Sequence, residues 1–345
     1  MRLIERVWFQ KHRAKYWLVP LLLPFSALFY LLSLVRRLAF KLGVFKSIHV
    51  DAPVIVVGNI GVGGNGKTPV VVHLVALAKS LGFTPGVISR GYGGKADTYP
   101  YLLDDTSTSV QAGDEPILIH QRCHVPVVVG ADRVADANKL IEHGCDLIIS
   151  DDGLQHYRLA RDVELIIVDA KRLFGNGLLL PAGPLREGQW RLTDADLVIY
   201  NGDHMGSGAQ VKHDSIMMTL AASELINIKT GEKQLLTQFF NQWRSVNAAA
   251  GIGDPQRFFD TLQTLGFNIV KQQGYVDHKS FTLDDFNQFK TDLPLLMTEK
   301  DAVKCQLFAQ DHWWYLPVSA QFSEQDEETL VLYLSNKLTK KQTKS

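Results

Sequence analysis

Short apolar runs recur along the first part of the chain, each ending in a polar or glycine-containing segment and each followed by a longer stretch of mixed polarity. Ile55 to Val57 leads into GNIGVGGNGKT, Pro85 to Ser89 into RGYGG, Val125 to Val129 into GADR, Leu147 to Ser150 into DDGLQH, Glu164 to Val168 into DAKR, and Leu197 to Tyr200 into NGD. The runs are apolar throughout rather than alternating, as in strands covered on both faces. Strands alternating with helical stretches predict βαβ units: an α/β fold built on a mostly parallel sheet with helices on both faces, binding its ligands beyond the carboxyl ends of the strands. After about residue 205 the pattern loosens. NAAAGIGDPQRFFDTLQTLGF and LPLLMTEKDAVK predict a smaller C-terminal α/β domain at 206–335, beside a main domain at 47–205, with a polar, lysine-rich tail at 336–345 expected to be disordered.

Ahead of this pattern stands YWLVPLLLPFSALFYLLSLV, an uncharged stretch between Lys15 and Arg36 that is long enough to cross a hydrocarbon core. Charge changes how it reads. The chain balances 36 Lys/Arg against 36 Asp/Glu, yet residues 1–46 hold nine of the cations with Glu5 as their one acid. The segment 1–46, and 16–36 within it, therefore reads as a membrane-associated anchor rather than a core helix. A secretory signal would have a shorter apolar centre and a cleavage site. Basic flanks on both sides give no clean orientation, and Pro20 and Pro24 disfavour a straight helix, so an anchor dipping into the cytoplasmic leaflet is preferred to a full span, which stays open. Trp8, Phe9, Tyr16 and Trp17 are expected at the headgroups, and the cations against anionic lipid. Cys123, Cys145 and Cys305 are widely spaced, without a metal or disulfide pattern. No nucleic-acid partner is expected.

GVGGNGKT, at 61–68, fits G-x-x-x-x-G-K-[ST] between a predicted strand and a predicted helix of roughly four turns that ends at Gly82. In such a loop the backbone of Gly61, Val62, Gly63, Gly64, Asn65 and Gly66 cradles phosphates at a helix N-terminus, Lys67 reaches the β/γ-phosphates of ATP, and Thr68 is a ligand for Mg²⁺. The fold class is thus P-loop NTPase-like. Asp151 or Asp152, following a strand, supplies the acid that completes the metal site. Asp169, after ELIIV, is a weaker candidate because no polar cluster accompanies it. The loop is also close to that of membrane-associated ATPase switches, which carry a signature lysine where this chain has Val62.

SRGYGG, AGDEP, GADR, DDGLQH, PAGPLRE, AGIGDPQRFF, YVDH and TEKDAVK occur here in the order seen in the tetraacyldisaccharide 4′-kinases, the lipid A 4′-kinases of Gram-negative bacteria, and the resemblance covers nearly the whole chain. It implies transfer of the γ-phosphate of ATP to the 4′-hydroxyl of a tetraacylated glucosamine disaccharide 1-phosphate. A two-domain P-loop fold, use of Mg²⁺, and work at the cytoplasmic face of the inner membrane are implied with it.

By the same resemblance Asp114 is the general base and His278 its partner. Taken alone, GDEP reads as a turn and a single histidine as a surface or capping residue. Glu115 stands beside the base, and Gln155 and His156 follow the acidic pair as further site residues. Arg90, Tyr92, Arg133 and Arg186 are candidates for contacts to the lipid phosphate or the transferring phosphoryl group, since a guanidinium forks onto phosphate oxygens. Salt bridges from Arg133 to Asp132, or from Arg186 to Glu187, are the structural alternatives. TEKD at 298–301 is expected to make, at most, a nucleotide-side contact.

Overall fold

The computed structural model describes residues 3–203 and 215–342. Helix α1 (Leu3–Phe9) precedes α2 (Lys15–Lys41), a helix that takes in the entire apolar segment and continues through both Pro20 and Pro24. It is long and apolar enough to cross a membrane, and only 6% of its most apolar stretch is buried, so it is no core helix.

The main sheet then begins with β1 (Val54–Gly58), which the P-loop joins to α3 (Lys67–Ser80). There follow β2 (Pro85–Ser89), β3 (Tyr101–Leu102), α4 (Ser109–Ala112), α5 (Asp114–Cys123), β4 (Val127–Val129), α6 (Arg133–Glu142), β5 (Leu147–Asp151), β6 (Val163–Asp169), β7 (Leu197–Asn201) and β8 (Ser215–Ala221). Each strand expected from an apolar run is present within two residues at either end. The parallel centre runs β8-β7-β6-β1-β5-β2-β4, with β3 antiparallel at one edge. Side chains alternate across it: Ile55 and Val57 of β1 face a core shared with α3 and α5, while Val54 and Val56 face one shared with α6. Both faces of the central strands are therefore covered, which is why they read as continuous Val/Ile runs.

The second unit carries β9 (Glu224–Asn227), β10 (Lys233–Leu235), α7 (Leu236–Gln242), β11 (Ser245–Ala250), α8 (Pro255–Thr264), β12 (Asn268–Gly274), β13 (Leu295–Thr298), α9 (Glu299–Cys305) and β14 (Trp313–Leu316). Its six strands are ordered β10-β9-β14-β13-β11-β12. Two aromatic-rich cores flank this sheet, one around Phe239, Phe258 and Trp314, the other around Phe281, Phe286 and Trp313.

The chain then returns to the main sheet. β15 (Ser319–Phe322) pairs antiparallel with β8, and α10 (Glu324–Gln342) buries Leu330, Leu334 and Leu338 in the core that α3 shares. This revises the expected division. The boundary at 205/206 lies outside the described residues, but the smaller unit is an insertion spanning 224–316, and 319–342 belongs to the main domain. Of the tail expected to be disordered, 336–342 is helical, since Leu338 is needed to close the core; 343–345 lie outside the described residues.

α2 is held to the main domain along one strip. Ser26 Oγ donates to Leu179 O (3.0 Å) and accepts from Ala182 N (2.9 Å), and Arg36 donates to Gln155 O (3.4 Å). Arg37 pairs with Asp194 and stacks on Trp190, 3.9 Å from its ring centroid. Two of the aromatics expected at headgroups are also engaged here: the Trp8 indole donates to Pro181 O (3.1 Å) and Phe9 lies under Arg172. Tyr16 and Trp17 remain exposed.

Candidate active site

The carboxyl ends of β1, β2, β5, β6 and β7 converge on the P-loop. Gly66 caps α3 with φ 91°, a conformation that places the first helical amides toward the loop and suits only a residue without Cβ. The loop is fixed from outside. Asn201, at the end of β7, donates through Nδ2 to Asn65 O (3.0 Å), and the PAGPLRE segment backs the loop, with Val62 N donating to Pro184 O (2.9 Å) and Arg186 N to Ile60 O (2.7 Å). Lys67 Nζ stands 3.3 Å from Asn59 Oδ1 and 3.5 Å from Asp152 Oδ1.

The two consecutive aspartates have different surroundings. Asp152, in the left-handed region (φ 48°), accepts from Arg186 Nη1 at 3.0 and 3.2 Å as well as facing Lys67. Burial works against its charge, but Lys67 and Arg186 outweigh it and hold the carboxyl below its ordinary pKa. Asp151, the last residue of β5, is fully buried; its Oδ2 accepts from Ser89 Oγ (3.2 Å), while Oδ1 has no protein partner. Burial, followed by the charge of Glu115, pushes it up to about 7. A buried carboxylate oxygen without a donor, on a strand beside the loop that carries Thr68, fits a divalent cation, which relieves both the desolvation and the orphaned lone pair.

The arginines separate. Arg186 belongs to Asp152 rather than to Glu187, which instead pairs with Arg191 (3.0 Å). Arg133 does not pair with Asp132, whose carboxylate caps α6 and takes Arg158 (2.6 Å). Arg133 is 2% exposed and donates to Asp151 O (3.2 Å), and burial lowers its pKa. Arg90 and Tyr92 are exposed on the loop after β2. Gln155 donates to Asn59 O (3.3 Å), and His156 is kept neutral by burial and by Arg133, with a pKa of about 4. Asp169 caps the turn at Lys171 and Arg172 and accepts from Arg257 (2.9 Å), while Arg172 pairs with Asp254; these contacts join the two units.

Asp114 opens α5. Its position depends on Gly113 (φ 88°), where a Cβ would meet Tyr92 O at 2.7 Å: the RGYGG and AGDEP segments pack backbone against backbone. Asp114 Oδ2 lies 3.4 Å from His278 Nδ1 and 3.7 Å from Lys304 Nζ. The Tyr92 ring stacks at a tilt on His278, with centroids 4.9 Å apart. TEKD departs from the expectation of a nucleotide-side contact. Lys300 reaches Glu115 (3.2 Å), Asp277 (3.4 Å) and His278, Glu299 pairs with Arg122, and Asp301 accepts from Gly251 N (2.8 Å). The segment thus lies with Asp114 and His278, because α9 packs on α5.

Residues 18–338 match the family model described as tetraacyldisaccharide-1-P 4′-kinase. The chain belongs to the tetraacyldisaccharide-1-P 4′-kinase family. It is 63% identical to the tetraacyldisaccharide 4′-kinase of Colwellia psychrerythraea over 331 residues, 96% of each chain, and 47% identical to that of Vibrio cholerae over 329 residues, 95% of each. A crystal structure of LpxK from Aquifex aeolicus in complex with ATP superposes with a TM-score of 0.75 at 28% identity, covering 90% of this chain and 97% of that one. Membership makes the chain a kinase of lipid A biosynthesis and sets aside the ATPase-switch reading; Val62, at the place of the switch lysine, has its amide committed to Pro184.

For this kinase, residue types and spacing left several site residues unmarked. Asn59 and Asn201 sit at strand ends with no motif around them, and only their place beyond a buried strand signals them. Lys300 and Lys304 stand one turn apart on α9 in TEKDAVK, a segment for which only a nucleotide-side contact was expected.

Proposed function

We propose that the chain transfers the γ-phosphate of ATP to the 4′-hydroxyl of a tetraacylated glucosamine disaccharide 1-phosphate at the cytoplasmic surface of the inner membrane, with Asp114 as general base and His278 as its partner. The observation that carries this reading is the Asp114–His278 contact at 3.4 Å. Phosphoryl transfer needs little covalent chemistry from protein; it needs the acceptor oxygen held in line, its proton accepted, and the donor's charge balanced.

The P-loop amides and Lys67 take the β- and γ-phosphates. Thr68 and Asp151 would hold Mg²⁺, which supplies electrostatic relief of charge on the phosphate oxygens. Asp152 orients Lys67 and Arg186 toward the same charge. Asp114, 8% exposed, with His278 at 3.4 Å and Lys304 at 3.7 Å, is placed to accept the hydroxyl proton, and the exposed Tyr92 and Arg90 form the rim over which the sugar enters. Supporting a membrane surface as the workplace, α2 leaves Leu21, Phe25, Leu28, Leu31 and Leu32 exposed while its Ser26, Arg36 and Arg37 hold the catalytic domain close.

The test is a double-mutant cycle on kcat. Asp114→Ala should cost about 10²-fold or more, within the range for general bases, with ATP affinity little changed. His278→Ala should cost less, and the double variant far less than the product of the two, as for residues acting as one unit. Losses that multiply would assign His278 to substrate binding instead.

A further inference from the structure

We propose that Lys300 is a positioning residue that selects the Nδ1–H tautomer of His278, and so aims the imidazole proton at Asp114. This rests on the reading of Asp114 and His278 as the proton-accepting pair. It concerns a lysine on α9, contributed by the inserted unit, whereas Asp114 belongs to the main domain.

The argument runs from donors and acceptors. Lys300 Nζ lies 3.4 Å from His278 Nε2. An ammonium has donors only, so the nitrogen facing it must present its lone pair. A neutral imidazole with a lone pair on Nε2 carries its proton on Nδ1, and Nδ1 is the nitrogen 3.4 Å from Asp114 Oδ2, which can only accept. The opposite tautomer would set Nε2–H against the ammonium and a lone pair against the carboxylate, repulsive at both ends.

The other charged groups around the ring bear on the choice. Asp277 Oδ2 is 3.8 Å from Nε2 and by itself would favour a proton there, but its partner oxygen, Oδ1, is taken by Lys300 (3.4 Å) and by the backbone N–H of His278 (3.0 Å). Glu115 accepts from Lys300 at 3.2 Å and so fixes the ammonium between α5 and α9. Lys304 lies 3.7 Å from the same Asp114 oxygen, and Tyr92 packs against the ring without a charge. Lys300 stays protonated: burial disfavours its charge, but Glu115, Asp277 and Asp114 outweigh that and raise its pKa. The backbone of His278 is in the left-handed region (φ 58°), which a non-glycine residue occupies only when its surroundings fix it, so the ring's place is set by these contacts.

The experiment is long-range ¹H–¹⁵N NMR on the full chain in detergent micelles, labelled at histidine ring nitrogens, with the His278 signal assigned by its loss in His278→Gln. Wild type should show Nδ1 protonated and Nε2 bare; an Nε2–H tautomer there overturns the proposal without any variant having to fold. In Lys300→Met the proton should move to Nε2, toward Asp277. Retention of Nδ1–H would also overturn it. In kinetics, Lys300→Met should lower kcat by at least about 10-fold, well short of the roughly 10⁴-fold cost of a wrong tautomer where the imidazole itself moves the proton. KM for ATP should stay within about twofold, and Lys300→Arg should restore most of kcat. Should Asp114→Ala retain kcat while Lys300→Met still moves the proton, the general-base reading fails and the tautomer assignment stands.

Discussion

Gly66→Ala tests how the P-loop is held. Gly66 has φ 91°, and a Cβ there would lie 2.5 Å from Asn201 Nδ2 and 3.0 Å from Met218 Cε. The left-handed backbone costs an L-residue about 1–2 kcal/mol. Pushing Asn201 aside loses its hydrogen bond to Asn65 O, worth about 1 kcal/mol. Gly66→Ala should therefore destabilise by about 2–3 kcal/mol, and Asn201→Ala by about 1 kcal/mol. The losses share the hydrogen bond, so the double variant should also lose only about 2–3 kcal/mol, about 1 kcal/mol short of the sum. Urea unfolding at unchanged slope reads all four stabilities, and KM for ATP should rise in each variant as the loop amides leave their positions. Additivity within about 0.3 kcal/mol would refute the reasoning, because Asn201 would then be no brace for the loop.

Lys67→Ala should abolish transfer with the fold intact; retention of more than about a tenth of wild-type kcat would contradict its role at the phosphates. Deleting residues 1–35 should release the protein from membranes and raise KM for the lipid far more than KM for ATP, as a sedimentation assay and paired kinetics would read. Stability should fall as the pH drops from 6.5 toward 4, because His156 is held at about 4 in the fold while its unfolded counterpart takes up a proton at the higher pH. In His156→Gln the urea midpoint should lose that part of its slope between pH 6.5 and 4.

Strands were the most legible part of the chain because β1, β5 and β6 are buried on both faces and are apolar save for Ser150, Asp151, Glu164 and Asp169. The P-loop was legible because its glycines, lysine and threonine fall at the spacing such a loop requires between a strand and a helix. The closing elements were not. ETLVLYLSNKL reads as an amphipathic helix, but nothing local says that Leu330, Leu334 and Leu338 cover the sheet begun nearly 280 residues earlier. The ion pairs Asp169–Arg257 and Arg122–Glu299 each join residues far apart in sequence, and spacing carries no trace of them. Asp114 and His278 came to notice through family resemblance alone, since their pairing is made by the fold and not by either segment.

The insertion has a consequence for biosynthesis. The main domain is interrupted after β8 and resumes only at β15, so a ribosome has delivered the whole of β9 to β14 before the last strand and covering helix of the nucleotide domain exist. The inserted unit is complete in the nascent chain while the P-loop sheet still presents the open edge of β8 and the uncovered apolar face of α3. An unpaired edge of this kind invites association with other chains. Residues 319–342, the last to emerge, then close that edge and cover that face together.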